Sequence, residues 1–231
     1  MTTRTSHPAF IPLQGGINFR DLGGQRAADG RRVRSGKLLR SGSLHNMTPE
    51  DLNHLSAIPL SRVLDYRDPT EVNRSPDRLN SEAFYLNAPA NPLSSSVNAK
   101  VTEFNAATLN AMDGEQFMLQ HCAVGKDRTG VGCALTLFAL GCDSNTVMEE
   151  YLLTQGMLAQ VEGFLLDTFG EGLNELGRKN LAAIMTVQES YLATALSSIE
   201  QRYGNVDRWL EQEYRLTPQA REALQSRLLE D

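Results

Sequence analysis

Hydrophobic positions change their spacing part-way along the chain, from short runs between turn residues to long stretches with helical periodicity. Short runs at residues 37–40, 61–66, 84–87 and 117–120 predict strands, and Phe117-Met118-Leu119-Gln120 is apolar enough to lie in the middle of a sheet. Gly23-Gly24, Asp29-Gly30 and Ser35-Gly36 place turns around the first of them. Thr48-Pro49-Glu50-Asp51 reads as a helix start, with Thr48 as N-cap, Pro49 at the first helical position and Asp51 three residues past the cap. Residues 129–141 predict an apolar helix with Gly141 just beyond its end. Further helices are expected at 144–155, 158–169, 178–203, 206–214 and 218–229, separated by Gly156, Gly170, Gly177 and Gly204. Strands early and helices late predict an α/β fold: a small, mostly parallel central sheet flanked by helices, with a helix-rich C-terminal third.

A chain of 231 residues suits a single domain with a sizeable core. Residues 1–16 are polar and punctuated by Pro8, Pro12, Gly15 and Gly16, so they read as a flexible tail before one domain at 17–231. Residues 87–100 carry Pro89, Pro92 and Ser94-Ser95-Ser96 and read as a loop inside that domain, because the central strand follows it. The net charge of −6 argues against general binding to nucleic acid or anionic membrane, so any attraction for anions must be local. Cys122, Cys133 and Cys142 are an odd number of cysteines in a long chain and do not read as a disulfide framework. With no apolar secretory segment near Met1 and no run approaching ~18 apolar residues, no stable membrane insertion is expected. A cytoplasmic location is the default expectation, with signal-independent export left open.

The candidate chemistry lies between the predicted central strand and the helix after it. In His121-Cys122-Ala123-Val124-Gly125-Lys126-Asp127-Arg128-Thr129-Gly130, a cysteine and an arginine stand six positions apart in a loop that must curl. Such a loop turns backbone N–H groups inward, and the helix N-terminus adds partial positive charge, which makes a cradle for a phosphate. Arg128 can fork two hydrogen bonds onto phosphate oxygens. The same field favours the thiolate of Cys122, the candidate nucleophile, and Ala123, Val124, Gly125, Lys126 and Thr129 are the candidate substrate-binding residues.

Together with the upstream Asn18-Phe19-Arg20-Asp21-Leu22-Gly23-Gly24, this loop resembles the bacterial and fungal tyrosine-phosphatase family that carries Lys-Asp in its signature loop. That family is an atypical, dual- or triple-specificity branch of the cysteine-dependent phosphatases. The resemblance runs from about Ile17 to the C-terminus and takes in Arg40-Ser41-Gly42, Val63-Leu64-Asp65-Tyr66-Arg67 and Tyr203-Gly204. It implies a phosphatase fold, hydrolysis of phosphate monoesters through a phosphocysteine, no metal or cofactor, and a phosphorylated protein or phosphoinositide as substrate. In that family the loop aspartate is understood to protonate the leaving group.

Asp127 fits that role, since an acid inside an anion-binding loop opposes the local field; an ion pair with Lys126, Arg20 or Arg40 is the other reading. Asp65 and Asp68 are the alternative acids, although Asp65 would also serve to anchor Arg67. Lys126 offers a point charge for a second phosphate or a solvated amine. His121 is expected to face away from the loop and bond its backbone, and Arg20 and Asp21 to form a polar turn beneath it. Thr129 can assist the sulfur as a leaving group or cap the helix. Residues 157–177 read as core helix or as a lid over the site. Competing functions are a phosphoinositide phosphatase, a rhodanese-like sulfurtransferase and a phosphate-reading module with a dead site.

Overall fold

The computed structural model describes residues 7–79, 82–90, 117–169, 172–177, 179 and 186–231, without the side chains of 167–169. Strands β1 (Arg20–Asp21), β3 (Leu38–Ser41), β4 (Leu60–Asp65), β5 (Phe84–Asn87) and β6 (Phe117–His121) form one sheet in the order β1-β3-β6-β4-β5. The first of these runs antiparallel to β3, and all other pairings are parallel. Two short strands, β2 (Arg32–Val33) and β7 (Leu229–Glu230), pair separately. Eight α-helices are described: α1 (Pro49–Ser56), α2 (Pro69–Arg74), α3 (Asp127–Ala139), α4 (Ser144–Leu152), α5 (Leu158–Phe169), α6 (Glu189–Tyr203), α7 (Val206–Tyr214) and α8 (Pro218–Leu228).

The alternation of side chains along the strands sorts the core into two layers. Leu38 and Met118 join the larger cluster, with Cys133, Leu137 and Phe138 of α3 and Leu210, Leu224 and Leu228 from the C-terminal helices. Leu39 and Leu119 join the other, with Leu52 and Leu55 of α1. Strand β6 is paired on both sides and its residues 118–121 are buried, as its apolar run predicts. The expected sheet flanked by helices is what the chain forms.

Register is what positions the site. Ser41 and Asp65 both sit beside His121, so β3, β4 and β6 end level with one another and the loops after them gather at one edge. In open α/β sheets that edge is where ligands bind.

The structure departs from the sequence reading at several places. Residues 144–155 do not make one helix: α4 stops at Leu152 and a 3₁₀ turn, Leu153–Met157, leads into α5. The short helix α2 follows β4, with Asp68 as N-cap and Glu71 completing a capping box. Leu229 leaves α8 to pair with Val33. Residues 7–16, expected within a tail, are bonded to the body: Ile11 N–H donates to Phe19 O, and Gln14 and Gly15 N–H each donate to the Asp51 carboxylate at 2.8 Å. Asp51 also accepts from the Thr48 amide, so the expected helix cap doubles as a clasp for the N-terminal segment. Residues 91–116, and with them most of the loop expected at 87–100, lie outside the described residues, as do 178 and 180–185 at the start of the helix expected at 178–203. Among the described residues no helix is long and apolar enough to cross a membrane.

Candidate active site

Strand β6 hands the chain directly to the loop at Cys122, and α3 begins at Asp127. The curl between them depends on Gly125, whose φ is +67° and whose missing Cβ would lie 2.5 Å from the Ser41 carbonyl. Two side chains and a backbone amide then hold the curl. Asn18 Nδ2 and Arg40 Nη2 donate to Gly125 O at 2.7 and 2.6 Å, and Ser43 N–H donates to Ala123 O at 2.9 Å. Arg20 supports Asn18 by donating to its Oδ1.

Beneath the loop, Arg20 Nε and Arg40 Nη1 each donate to one oxygen of Glu150, both at 2.7 Å. All three side chains are almost fully buried. Burial and the neighbouring Arg40 pull Arg20 down to about 10, which still leaves it charged at neutral pH. Two guanidiniums against one carboxylate leave a net positive charge under the loop, a costly arrangement that fixes geometry more than it stabilises the fold. Arg20 thus lies beneath the loop as expected, while Asp21 turns away to accept from the Gly23 and Gly36 amides.

The three thiols show what the loop does to sulfur. Burial is the foremost cause that pushes Cys133 and Cys142 up to about 12, joined by Glu150 at the first and by Asp143 and Asp29 at the second, and this makes them inert. Cys122 is just as buried, yet its thiol is held below the ordinary value, because Arg128, the Thr129 hydroxyl and the amides of Thr129 and Gly125 outweigh the burial. The Thr129 hydroxyl is buried without a hydrogen-bond partner among the described residues and is one of the groups that favour the Cys122 thiolate.

His121 faces away from the loop, its Nδ1 3.4 Å from Cys122 O and its Nε2 3.2 Å from Asp77 Oδ2. Burial disfavours its charged form, but Asp77 and Asp65 prevail and raise its affinity for a proton. Asp65, Asp77 and His121 bring three ligand-type atoms within 4.8 Å of one another. A guanidinium already balances them, since Arg67 Nη2 lies 2.7 Å from Asp65 and 2.8 Å from Asp77.

The acids separate by what they already hold. Asp65 accepts from Arg67 and from the Tyr85 hydroxyl, and Asp68 caps α2 through the Thr70 and Glu71 amides. Asp127 is 59% exposed at the loop rim and pairs with Lys126 Nζ at 2.8 Å. That ammonium is otherwise taken up by Thr186 O at 3.3 Å and the face of Tyr191, so it is drawn toward α6. Arg128 is gripped by Glu71, Nη1 to Oε2 at 2.6 Å and Nη2 to Oε1 at 2.8 Å.

A cavity of about 140 Å³ abuts the loop at Ala123, walled by Phe164 of α5, Ser43, Arg67, Glu71 and Arg74. Helix α5 is fastened there through Gln160, which accepts from Asn18 N–H at 3.0 Å and donates to Gly16 O at 2.9 Å. Val161 and Phe164 pack with Ile17 and Val124, placing this part of the segment expected as core or lid over the loop.

The model of the tyrosine phosphatase family matches residues 11–230. The chain belongs to that family. A Cupriavidus necator protein that bears the name of a tyrosine-protein phosphatase is 29% identical over 219 residues, covering 84% of this chain and 80% of that one. The triple specificity protein phosphatase PtpB of Mycobacterium tuberculosis is 28% identical over 102 residues, 40% of this chain and 37% of its own. Among solved structures, P. aeruginosa TpbA in complex with pTyr is similar at 18% identity, covering 71% of this chain and 98% of that one with a TM-score of 0.41. The Siw14 catalytic core matches at 17% identity, 77% and 95% coverage and a TM-score of 0.35. This tyrosine phosphatase is a cysteine-dependent enzyme.

Several residues that shape the phosphatase's loop were not in the sequence reading. Glu150, Asp77 and Glu71 are ordinary acids in the chain, and what marks them is a partner far away in sequence. Only Glu71 had a local signal, the capping-box spacing Asp68-Pro69-Thr70-Glu71.

Proposed function

We propose that Cys122, Arg128 and Asp127 carry out the phosphatase reaction within one catalytic domain. The Cys122 thiolate attacks phosphorus, the bond from phosphorus to the leaving oxygen breaks, and Asp127 delivers its proton to that oxygen. Water, deprotonated by Asp127, then attacks the phosphocysteine, and the thiolate departs with help from the Thr129 hydroxyl. Arg128 and the amides of Ala123, Val124, Gly125, Lys126 and Thr129 hold the equatorial oxygens throughout. The single observation that carries this reading is the contrast among the thiols: of three buried cysteines, only Cys122 is held below the ordinary thiol value.

Asp127 is the acid of choice because Asp65 and Asp68 are each committed to other donors. Lys126 Nζ, 2.8 Å away, keeps the Asp127 carboxyl at the rim of the cradle. Replacing Asp127 with Asn is expected to lower kcat on an alkyl phosphate by about 10²-fold or more, but on the activated aryl ester p-nitrophenyl phosphate by only about tenfold or less. Equal losses on both substrates would make Asp127 structural.

The proposed substrate is phosphotyrosine in a protein, because Phe164 and Ala123 give the cavity apolar walls for an aromatic ring. A phosphoinositide is the second reading, favoured by Arg74 on the cavity wall. Sulfur transfer and simple phosphate reading need no acid at the rim and are not favoured. A panel of phosphotyrosyl and phosphoseryl peptides with mono- and bisphosphorylated inositides decides the class. Phosphotyrosyl peptides are expected to have at least about tenfold the kcat/KM of any other substrate; higher turnover of an inositide would reverse the assignment. The free thiols suit a reducing compartment, so the cytoplasm is the proposed place of action.

A further inference from the structure

A buried tyrosine touches the strand before the nucleophile, the helix after it and Arg128 at once. Tyr66 follows β4, and its N–H donates to His121 O at 2.8 Å. Its carbonyl accepts from Arg128 Nη1 at 3.3 Å. The side chain is almost fully buried and belongs to the same apolar cluster as Cys122. Its hydroxyl donates at 2.9 Å to Oε1 of Gln120, two residues before Cys122 on β6. Gln120 Nε2 then donates to Thr136 Oγ1 at 3.4 Å, and that hydroxyl donates to Gly132 O at 2.9 Å. These bonds tie the end of β4 through β6 into α3, in a layer where Gln120 and Thr136 are also buried.

Helix α3 accommodates this tyrosine because position 132 has no side chain. A Cβ on Gly132 would lie 2.3 Å from the Tyr66 hydroxyl oxygen, 2.7 Å from its Cζ and 2.8 Å from Gln120 Oε1. Glycine is a poor residue for a helix interior, so its place in the second turn of a buried helix needs a packing reason. Gly132 stands four residues after Arg128, and therefore on the same face one turn along. How deeply Tyr66 enters this notch sets how closely α3 approaches β6. The first turn of α3 carries Arg128 and Thr129, the groups that favour the Cys122 thiolate.

We propose that Tyr66 and Gly132 form a matched strut and notch, in which Tyr66 is a positioning residue that sets the distance of the α3 N-terminus from Cys122. This inference rests on the assignment of Cys122 as nucleophile. A shorter strut or a filled notch leaves every residue of the loop in the chain but shifts the helix that carries Arg128. Donors to the transition state act only when they are already in place, and a displacement of about 1 Å costs on the order of 10²-fold. The loss therefore falls on kcat more than on KM.

The test uses p-nitrophenyl phosphate kinetics and the pH midpoint of Cys122 alkylation by iodoacetamide. Gly132→Ala drives a methyl group against the Tyr66 hydroxyl, and kcat is expected to fall by about 10²-fold. The alkylation midpoint should move upward with it, because Arg128 and Thr129 recede from the sulfur. Tyr66→Leu shortens the strut and is expected to lower kcat by about tenfold. The double variant should come within about threefold of Tyr66→Leu alone, in place of the roughly 10³-fold loss that independent effects would give. Tyr66→Phe loses only the hydroxyl and should lower kcat about fivefold, so the strut is tested even where Gly132→Ala does not fold. Thr217→Ala, which removes the N-cap of α8, is the destabilised control. It should lower the melting temperature while changing kcat by less than about twofold and leaving the midpoint in place. Tyr66 variants that melt earlier but keep wild-type kcat and midpoint would reduce the tyrosine to a core residue and overturn the proposal. A double variant as slow as the product of the two single losses would also overturn it. The parent reading fails separately: if hydrolysis survives Cys122→Ser, the site assignment is wrong whatever the Tyr66 variants do.

Discussion

Cys122→Ser is expected to reduce hydrolysis of p-nitrophenyl phosphate by roughly 10⁴-fold or more while leaving phosphopeptide binding intact or tighter. The loop lowers the thiol through Arg128, the Thr129 hydroxyl and two amides, which together outweigh its burial and favour the thiolate. A serine hydroxyl is far more weakly acidic, so the same field leaves it neutral and poorly nucleophilic. Binding follows the opposite logic. A thiolate repels the incoming dianion, and the neutral serine removes that repulsion while every donor of the cradle stays in place. Turnover by stopped assay and affinity by calorimetry with a phosphotyrosyl peptide check the two halves. Undiminished turnover would refute Cys122 as nucleophile. The pH dependence has a defined sign: because the folded thiol titrates below its ordinary value, alkylation of Cys122 by iodoacetamide should persist below pH ~8.5, where a free cysteine slows. It should be lost, together with kcat/KM, as pH falls through the depressed value.

Legibility in the chain followed the range of the interactions. The catalytic loop is a local object: strand, curl and helix start occupy residues 117–130, and the residue types needed for the curl and the charge stand next to one another. The sheet was legible for a similar reason, since β3, β4, β5 and β6 each announce themselves by a short apolar run. The break between α4 and α5 was legible at Gly156, but the end of α4 at Leu152 was not, because apolar spacing continues into the 3₁₀ turn. The extension of α8 into β7 was equally hidden, as one buried leucine satisfies either pattern.

The support for the loop is non-local, and there the reading from residues alone stopped short. Arg20 and Arg40 were visible as members of motifs, but the carboxylate that holds them, Glu150, is 130 and 110 positions away. Nothing in α4 distinguishes that glutamate from a solvated one until the fold turns it inward between Val147 and Tyr151. Asp77 is similar: it ties the Leu44 amide, Arg67 and His121 together from a stretch without helix or strand. The candidate lysine shows the converse. Its charge was legible as an anion-binding feature, yet the structure draws the ammonium to Asp127, Thr186 and Tyr191.

Arg128→Lys and Arg128→Ala should separate the charge of the arginine from its shape. Lysine keeps a cation near the sulfur but presents a point charge in place of a planar fork. Both variants are expected to lose about 10²- to 10⁴-fold in kcat, because each loses the paired grip on oxygens whose charge grows in the transition state. Their thiols should differ. Arg128 is the foremost influence lowering Cys122, so alanine should move the midpoint of Cys122 alkylation upward, and lysine should move it much less. Burial would then dominate in the alanine variant, as it does for Cys133, whose thiol titrates at about 12. Glu71 enters the same comparison: with alanine at 128 its carboxylate keeps the Asp68 amide but loses its cation, leaving an unbalanced negative charge beside the cavity that adds to the loss of phosphate affinity. Rate constants and the alkylation profile, measured on the same preparations, test both statements. A lysine variant with near-wild-type kcat would show that charge alone suffices, and an alanine variant with an unmoved thiol would show that the amides and the buried Arg40 hold the thiolate without Arg128.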